Sequence, residues 1–218
     1  MTMVWNCIRK TLAPALVVLA GFVATPVLAD LTAGKEYLVL DNPQPVATGN
    51  KIEVIEFFYY GCPYCNEALP LITKWLAFLP ADVQYRRVPV VRPDKWAPLA
   101  RTYFTLEALD KLKLHRHVFD TIHLDGLALS DEKTMFDWAQ RNYMDRQQFI
   151  DIYKSPETEA KVAKARELTE SYNISRIPAF VVDGKYLTTS GMAGSLDALL
   201  PTVDKLVNQA RSERAAKK

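Results

Sequence analysis

Two cysteines with two residues between them, Cys62-Pro63-Tyr64-Cys65, stand where the apolar run Ile52 to Tyr60 gives way to a segment with helical periodicity. A Cys-x-x-Cys at such a strand-to-helix junction can open and close a disulfide. It also sets its first sulfur at a helix N-terminus, where partial positive charge favours thiolate. Pro63 suits the first turn of a helix, which makes Cys62 the expected N-cap. Cys62 is the candidate nucleophile, because a lowered thiol pKa supplies thiolate and improves the leaving group. Cys65, one turn on and on the same helix face, is the candidate resolving partner. The loop that the pair would close is too short to constrain an unfolded chain much, so its purpose is chemical rather than structural.

Other readings of the same residues remain open at this point. His115 and His117 could complete a four-ligand zinc site with the cysteines, but alternate residues of a helix point apart. No metal is expected, and His115, His117 and His123 are expected at the surface or edge of their helices. Glu56 interrupts an apolar strand, and a buried carboxylate needs a partner or a proton. Strand alternation also allows it to face solvent at a sheet edge. The aromatics Tyr59, Tyr60 and Tyr64 around the cysteines are compatible with a module that grips peptides without reacting with them.

The elements that must position these groups begin after a leader. Arg9 and Lys10 precede an apolar run from Leu12 to Leu28, and Val27-Leu28-Ala29 makes a small-residue cleavage site before Asp30. Residues 1–29 are expected to be a signal peptide cleaved after Ala29 rather than a retained anchor, because Pro14, Gly21 and Pro26 interrupt the run. Cleavage removes Cys7, so Cys62 and Cys65 become the only thiols of an exported chain, in a compartment where disulfides persist. It also removes Arg9 and Lys10, leaving acids and bases in balance. With no basic run except the tail Arg211–Lys218, nucleic acid is not an expected partner.

Strand patterns cover Tyr37–Leu40, Lys51–Tyr60, Val83–Val91 and Ile177–Val182, with Asp183-Gly184 turning into a return strand Lys185–Thr188. The low alternation of Lys51–Tyr60 predicts burial on both faces, in the middle of a sheet. A helix follows Cys62 to Phe78, with Pro70 predicting a kink. Between Trp96 and Tyr153 the chain reads as short helices, started at Ser130-Asp131-Glu132 and at Asp145 with Gln148. Ser155-Pro156-Glu157 opens a helix to about Tyr172, and Ser195 caps the last one, to about Arg211. The expected fold class is α/β: residues 30–93 and 156–213 form one discontinuous domain, residues 94–155 a helical insertion, and 214–218 a disordered tail.

Glu56-Phe57-Phe58 upstream of Cys-Pro-x-Cys, a helical insertion, and then the stretch Ile177-Pro178-Ala179-Phe180 through Asp183-Gly184-Lys185-Tyr186 resemble the DsbA family. These are thioredoxin-fold disulfide oxidases of the bacterial periplasm, and the resemblance spans residues 30–218. It implies a thioredoxin fold with an inserted all-helical domain, and an exported thiol:disulfide oxidoreductase that donates a Cys62–Cys65 disulfide to newly exported, reduced, unfolded polypeptides. It implies no cofactor beyond that disulfide, a quinone-linked membrane oxidase of the DsbB type as the reoxidising partner, and a monomer. By the same resemblance Pro178 is a cis-proline facing the cysteines, the Ile177 backbone pairs with substrate, and Glu56 is a buried acid that moves protons. One departure stands out: well-known members carry Pro-His between the cysteines, where this chain has Pro63-Tyr64. Without a histidine, Cys62 is expected to be less acidic than in those relatives, which keeps a periplasmic reductase of the same fold as the alternative.

Overall fold

The computed structural model describes residues 1–2 and 31–216; the expected leader and its cleavage point lie outside the described residues. Residues from Leu31 onward form one compact unit. Its centre is a five-stranded sheet of β1 (Leu38–Val39), β2 (Ile52–Phe58), β3 (Val83–Pro89), β4 (Ala179–Val182) and β5 (Tyr186–Thr189) in the order β1-β5-β4-β2-β3. β2 runs parallel to β3, with Glu56 opposite Arg87, and antiparallel to β4, with Glu56 opposite Phe180. Every residue of β2 is buried, as its unbroken apolar pattern requires of an interior strand. β3 lies at the edge, so its Gln84 stays exposed while Val83, Val88 and Pro89 are buried.

The pleat divides the core in two. Ile52 and Val54 of β2, with Phe180 and Val182 of β4, meet Ala68 and Ile72 of α1 (Pro63–Leu76) and Leu199, Val203 and Leu206 of α8 (Leu196–Ala216). Ile55, Phe57, Ala179 and Val181 turn to the other face, against Val162 and Ala165 of α6 (Pro156–Ser171). That second core continues into the helices between β3 and α6: α2 (Ala97–Ala108), α3 (His115–His123), α4 (Glu132–Arg141) and α5 (Arg146–Tyr153). The expected helical stretch is therefore present, and two single turns at Asp94–Trp96 and Leu112–Leu114 link its pieces.

Local chemistry starts and stops the elements much as the sequence suggests. Asp145 and Ser155 cap α5 and α6 through the backbone N–H groups of Gln148 and Thr158, and Ser195 receives the N–H of Ala198 at 3.1 Å. In the Ser130-Asp131-Glu132 stretch the cap is Asp131, which accepts from the Thr134 N–H at 2.8 Å. Asp183 and Gly184 both have positive φ, 54° and 71°, the geometry of a tight two-residue hairpin. A Cβ on Gly184 would lie 2.1 Å from the Gln44 carbonyl oxygen, so this position takes glycine for space as well as for φ. A four-residue helix, α7 (Ser190–Ala193), follows β5 and was not expected.

The tail departs from expectation. α8 continues to Ala216 instead of ending near Arg211. Arg214 explains part of this: its guanidinium bridges the Asp183 carboxylate, Nε to Oδ2 at 3.0 Å, and donates to the Gly49 carbonyl. A side chain held by the hairpin turn and by the chain before β2 keeps the final turns of the helix in place.

Candidate active site

α1 opens at the expected place. Cys62 is its N-cap with φ −90° and ψ 119°, Pro63 is the first helical residue, and Cys62 has no side-chain cap bond of its own. Both cysteines are free thiols in this structure, Cys62 partly buried and Cys65 at 1% exposure. Burial and a shared hydrogen bond treat them oppositely. The thiol of Cys65 donates to the Cys62 sulfur, the N–H groups of Cys65 and Tyr64 point at it, and its pKa falls to about 6 in spite of partial burial. Burial drives Cys65 far up, and the hydrogen bond and negative charge of Cys62 push the same way. The first turn of α1 thus makes one thiolate and one thiol.

Across from them, Ile177-Pro178 is a cis peptide bond, and the Cys62 thiol, when protonated, reaches the Ile177 carbonyl at 3.8 Å. These two stretches are far apart in sequence, and the sheet order brings them together: α1 leaves the end of β2, and Pro178 enters the neighbouring β4. Tyr64 is 62% exposed, and its side chain offers the sulfur nothing; only its backbone N–H acts on Cys62.

Glu56 does not face solvent. It is 2% exposed, accepts from the Tyr85 hydroxyl, and pairs with Arg87 Nε at 3.1 Å. Burial pushes its carboxyl above the ordinary range, with the Arg87 cation and the Tyr85 hydroxyl opposing. Its charge is felt at Cys65, where it further disfavours thiolate. A cavity of about 450 Å³ opens at the free side of β3, and Tyr85, Arg87 and Tyr103 are in its walls. It gives the partners of Glu56 a way to solvent.

The histidines need correction in part. His117 is exposed as expected, but His115 is buried at 5% and bonded through Nδ1 to the Tyr60 hydroxyl at 2.8 Å. His123 is partly buried and bonds through Nε2 to the Tyr60 carbonyl at 2.7 Å. Burial, with the charge of Arg87, holds His115 well below the usual imidazole pKa, so it is neutral. Among the described residues, no group of three or more Cys, His, Asp or Glu side chains is arranged to hold a metal ion.

Sequence reasoning missed Tyr85 and Arg87. A signal was present: Arg86-Arg87 inside the apolar stretch Val83–Val91 needs buried acids, and the parallel strand offers Glu53 and Glu56. Register assigns Arg87 to Glu56, and Arg86 Nε reaches Glu53 at 3.0 Å.

A dithiol at the start of the helix after an interior strand, opposed by a cis-proline at the start of the adjacent one, defines a thioredoxin-fold protein with a redox-type site. Comparison with known proteins narrows this. The DSBA-like thioredoxin domain model matches residues 95–200. The thiol:disulfide interchange protein DsbA of Azotobacter vinelandii is 38% identical over 185 residues, covering 84% of this chain and 86% of the relative. DsbA of Pseudomonas aeruginosa strain PAO1 is 34% identical over 212 residues, 96% of this chain and all of the relative. The crystal structure of Pseudomonas aeruginosa DsbA superposes with a TM-score of 0.81 at 36% identity, covering 86% of this chain and 97% of that one. Reduced DsbA1 from Neisseria meningitidis gives 0.76 at 30% identity, with 86% and 99% covered. The chain belongs to the DsbA family.

Proposed function

We propose that this protein is an exported thiol:disulfide oxidoreductase that acts as a dithiol oxidase, with Cys62 as the reacting sulfur and Cys65 as its partner. The observation that carries the reading is the opposite ionisation of two thiols one helical turn apart, Cys62 near 6 and Cys65 far above its ordinary value. Starting from the Cys62–Cys65 disulfide, a substrate thiolate attacks Cys62 Sγ, and the S–S bond breaks towards Cys65. Cys65 leaves best if it is protonated as it goes, and Glu56, an acid with a raised pKa whose charge reaches Cys65, is suited to give that proton. The substrate's second thiolate then attacks its own sulfur in the mixed disulfide and expels Cys62 as thiolate. Two substrate thiols have lost two electrons and two protons, and the cysteine pair has gained two electrons. A low pKa at Cys62 stabilises the reduced enzyme and so makes its disulfide oxidising.

Ile177 and Pro178 supply the opposite wall of the site, and the Ile177 backbone pairs with an extended substrate segment, a reading supported by its carbonyl lying 3.8 Å from the Cys62 sulfur. The substrates are reduced, unfolded polypeptides newly exported to the periplasm, and a quinone-linked membrane oxidase of the DsbB type restores the disulfide. The sulfurs carry both electrons, so the reaction calls for no further cofactor, and the protein works as a monomer. N-terminal sequencing of the exported protein tests the leader, with a start at Asp30 expected. The decisive assay oxidises a reduced two-cysteine peptide and measures the equilibrium of Cys62–Cys65 with glutathione. Turnover lost in Cys62→Ser, with a couple more oxidising than that of thioredoxin, is expected. A couple as reducing as thioredoxin makes the protein a reductase, and activity preserved in Cys62→Ser makes it a binding module.

A further inference from the structure

We propose that His123 and His115 of α3 are positioning residues for Cys62, acting through Tyr60. Tyr60 is 1% exposed and sits two residues before Cys62, in the short link from β2 to α1. The helical block holds it at both ends. Its hydroxyl meets His115 Nδ1 at 2.8 Å, and its carbonyl meets His123 Nε2 at 2.7 Å. Its ring packs edge-on against Phe58 and Phe119, with centroids 5.1 and 5.0 Å away, and the His123 ring lies nearly parallel to Phe119.

The carbonyl bond has a chemical consequence. A carbonyl oxygen only accepts, so His123 Nε2 must carry the hydrogen. The bond is a hold on the peptide group between Tyr60 and Gly61.

The neighbouring residue is held as well. Tyr59 stacks on Trp96 with centroids 4.1 Å apart and planes 7° from parallel, and its carbonyl accepts the Cys62 N–H at 3.0 Å. A Cβ on Gly61 would come within 2.6 Å of the Tyr59 ring, so the ring as stacked leaves no space for a side chain there. Cys62 sits between that link and the first turn of α1, where its carbonyl accepts the Asn66 N–H at 3.1 Å. Its extended backbone angles, and therefore the aim of the Tyr64 and Cys65 N–H groups at its sulfur, depend on both. The link in turn is gripped by residues of the helical block, Trp96 on one side and α3 on the other. The block thereby belongs to the machinery that sets the thiolate.

This inference rests on Cys62 being the reacting thiol, and the test separates the two. Thiolate absorbance of reduced protein is followed against pH in His123→Ala, His123→Gln, Tyr60→Phe and His117→Ala, alongside kcat/KM for oxidation of a two-cysteine peptide. His123→Ala should raise the Cys62 pKa by about half a unit to one unit and lower kcat/KM by about three- to tenfold. His123→Gln keeps an N–H donor and should recover most of both, while exposed His117→Ala should change neither. Tyr60→Phe, which removes only the hydroxyl bond to His115, should shift the titration in the same direction by less. If His123→Ala titrates and turns over like wild type, the positioning role is wrong, even where its melting temperature falls. Should His123→Ala not fold, an unshifted Tyr60→Phe overturns the proposal in its place. Wild-type protein that titrates as expected but oxidises nothing would sink the oxidase reading and leave the positioning claim to stand on the titrations.

Discussion

The site has a solvent side and a buried side, and the same element, the first turn of α1, borders both. On the solvent side Cys62 faces Ile177 and cis-Pro178, and the Cys65 thiol, with two backbone amides, draws its pKa down to about 6. On the buried side Cys65 lies among apolar side chains with Glu56 and its partners Tyr85 and Arg87 behind it, and burial makes proton loss from either acid harder. One side favours a thiolate, the other favours protonated acids. The contrast shows that hydrogen bonds onto Cys62 and burial around Cys65, rather than any difference in residue type, push the two thiols apart.

The sharpest way to break the contrast is to leave one cysteine at a time. Cys65→Ser should let Cys62 react with iodoacetamide at neutral pH on the order of 10²–10³ times faster than Cys65 reacts in Cys62→Ser. Similar rates would show that hydrogen bonding and burial do not distinguish them. Next in size is the pH dependence of stability in the reduced protein. Cys62 has a folded pKa below its unfolded one, so its contribution is complete above the unfolded value, near 8.5–9, and lost as pH falls through about 6. Discounted for the solvent around a half-buried sulfur, the contribution is on the order of 1–3 kcal/mol. Paired urea titrations of reduced and oxidised protein should therefore show the reduced form losing ground between pH 9 and pH 5. A gap independent of pH would contradict the lowered pKa.

Glu56→Gln probes the buried side. It should slow the step that expels Cys65 by about tenfold in stopped-flow measurements, with little effect on the Cys62 titration. It also leaves the Arg87 cation without its carboxylate, so lower stability is expected as well. An unchanged first step would remove Glu56 from the proton account. The smallest effect belongs to Tyr64→His, which adds a cation or donor beside the sulfur and should lower the Cys62 pKa by about half a unit to one unit. An unchanged or higher value would mean that the exposed side chain at this position does not govern acidity.

Much of this was legible in the sequence because it is local. The N-cap at Cys62, the caps at Asp145, Ser155 and Ser195 and the Asp183-Gly184 turn each depend on a few adjacent residues. The place of Pro178 came instead from family resemblance, since isolated Ile-Pro is seldom cis. What stayed hidden depends on register and on packing between elements. Nothing next to Glu56 names Arg87 and Tyr85 as its partners; parallel pairing of β2 with β3 does. His115 looks like a surface residue beside exposed Arg116 and His117, and it is buried because α3 turns that face onto Phe58 and Tyr60. The helical end at Arg214 likewise needs Asp183 and Gly49, both distant in sequence, to be explained.

The sheet order carries a consequence for how the chain is made. Leu38 pairs with Leu187, and β2 is flanked by β4 as well as by β3, so the first and last parts of the sequence complete one another across the sheet. Chains dominated by such distant pairings close their topology late, after the entropy of bringing remote segments together has been overcome. A polypeptide threaded through an export channel from its N-terminus would present β2, the cysteines and β3 well before β4 and β5 emerge. For that interval the dithiol would sit on an unfinished sheet without the Pro178 wall. In that state the two cysteines would be an open dithiol on an incomplete fold.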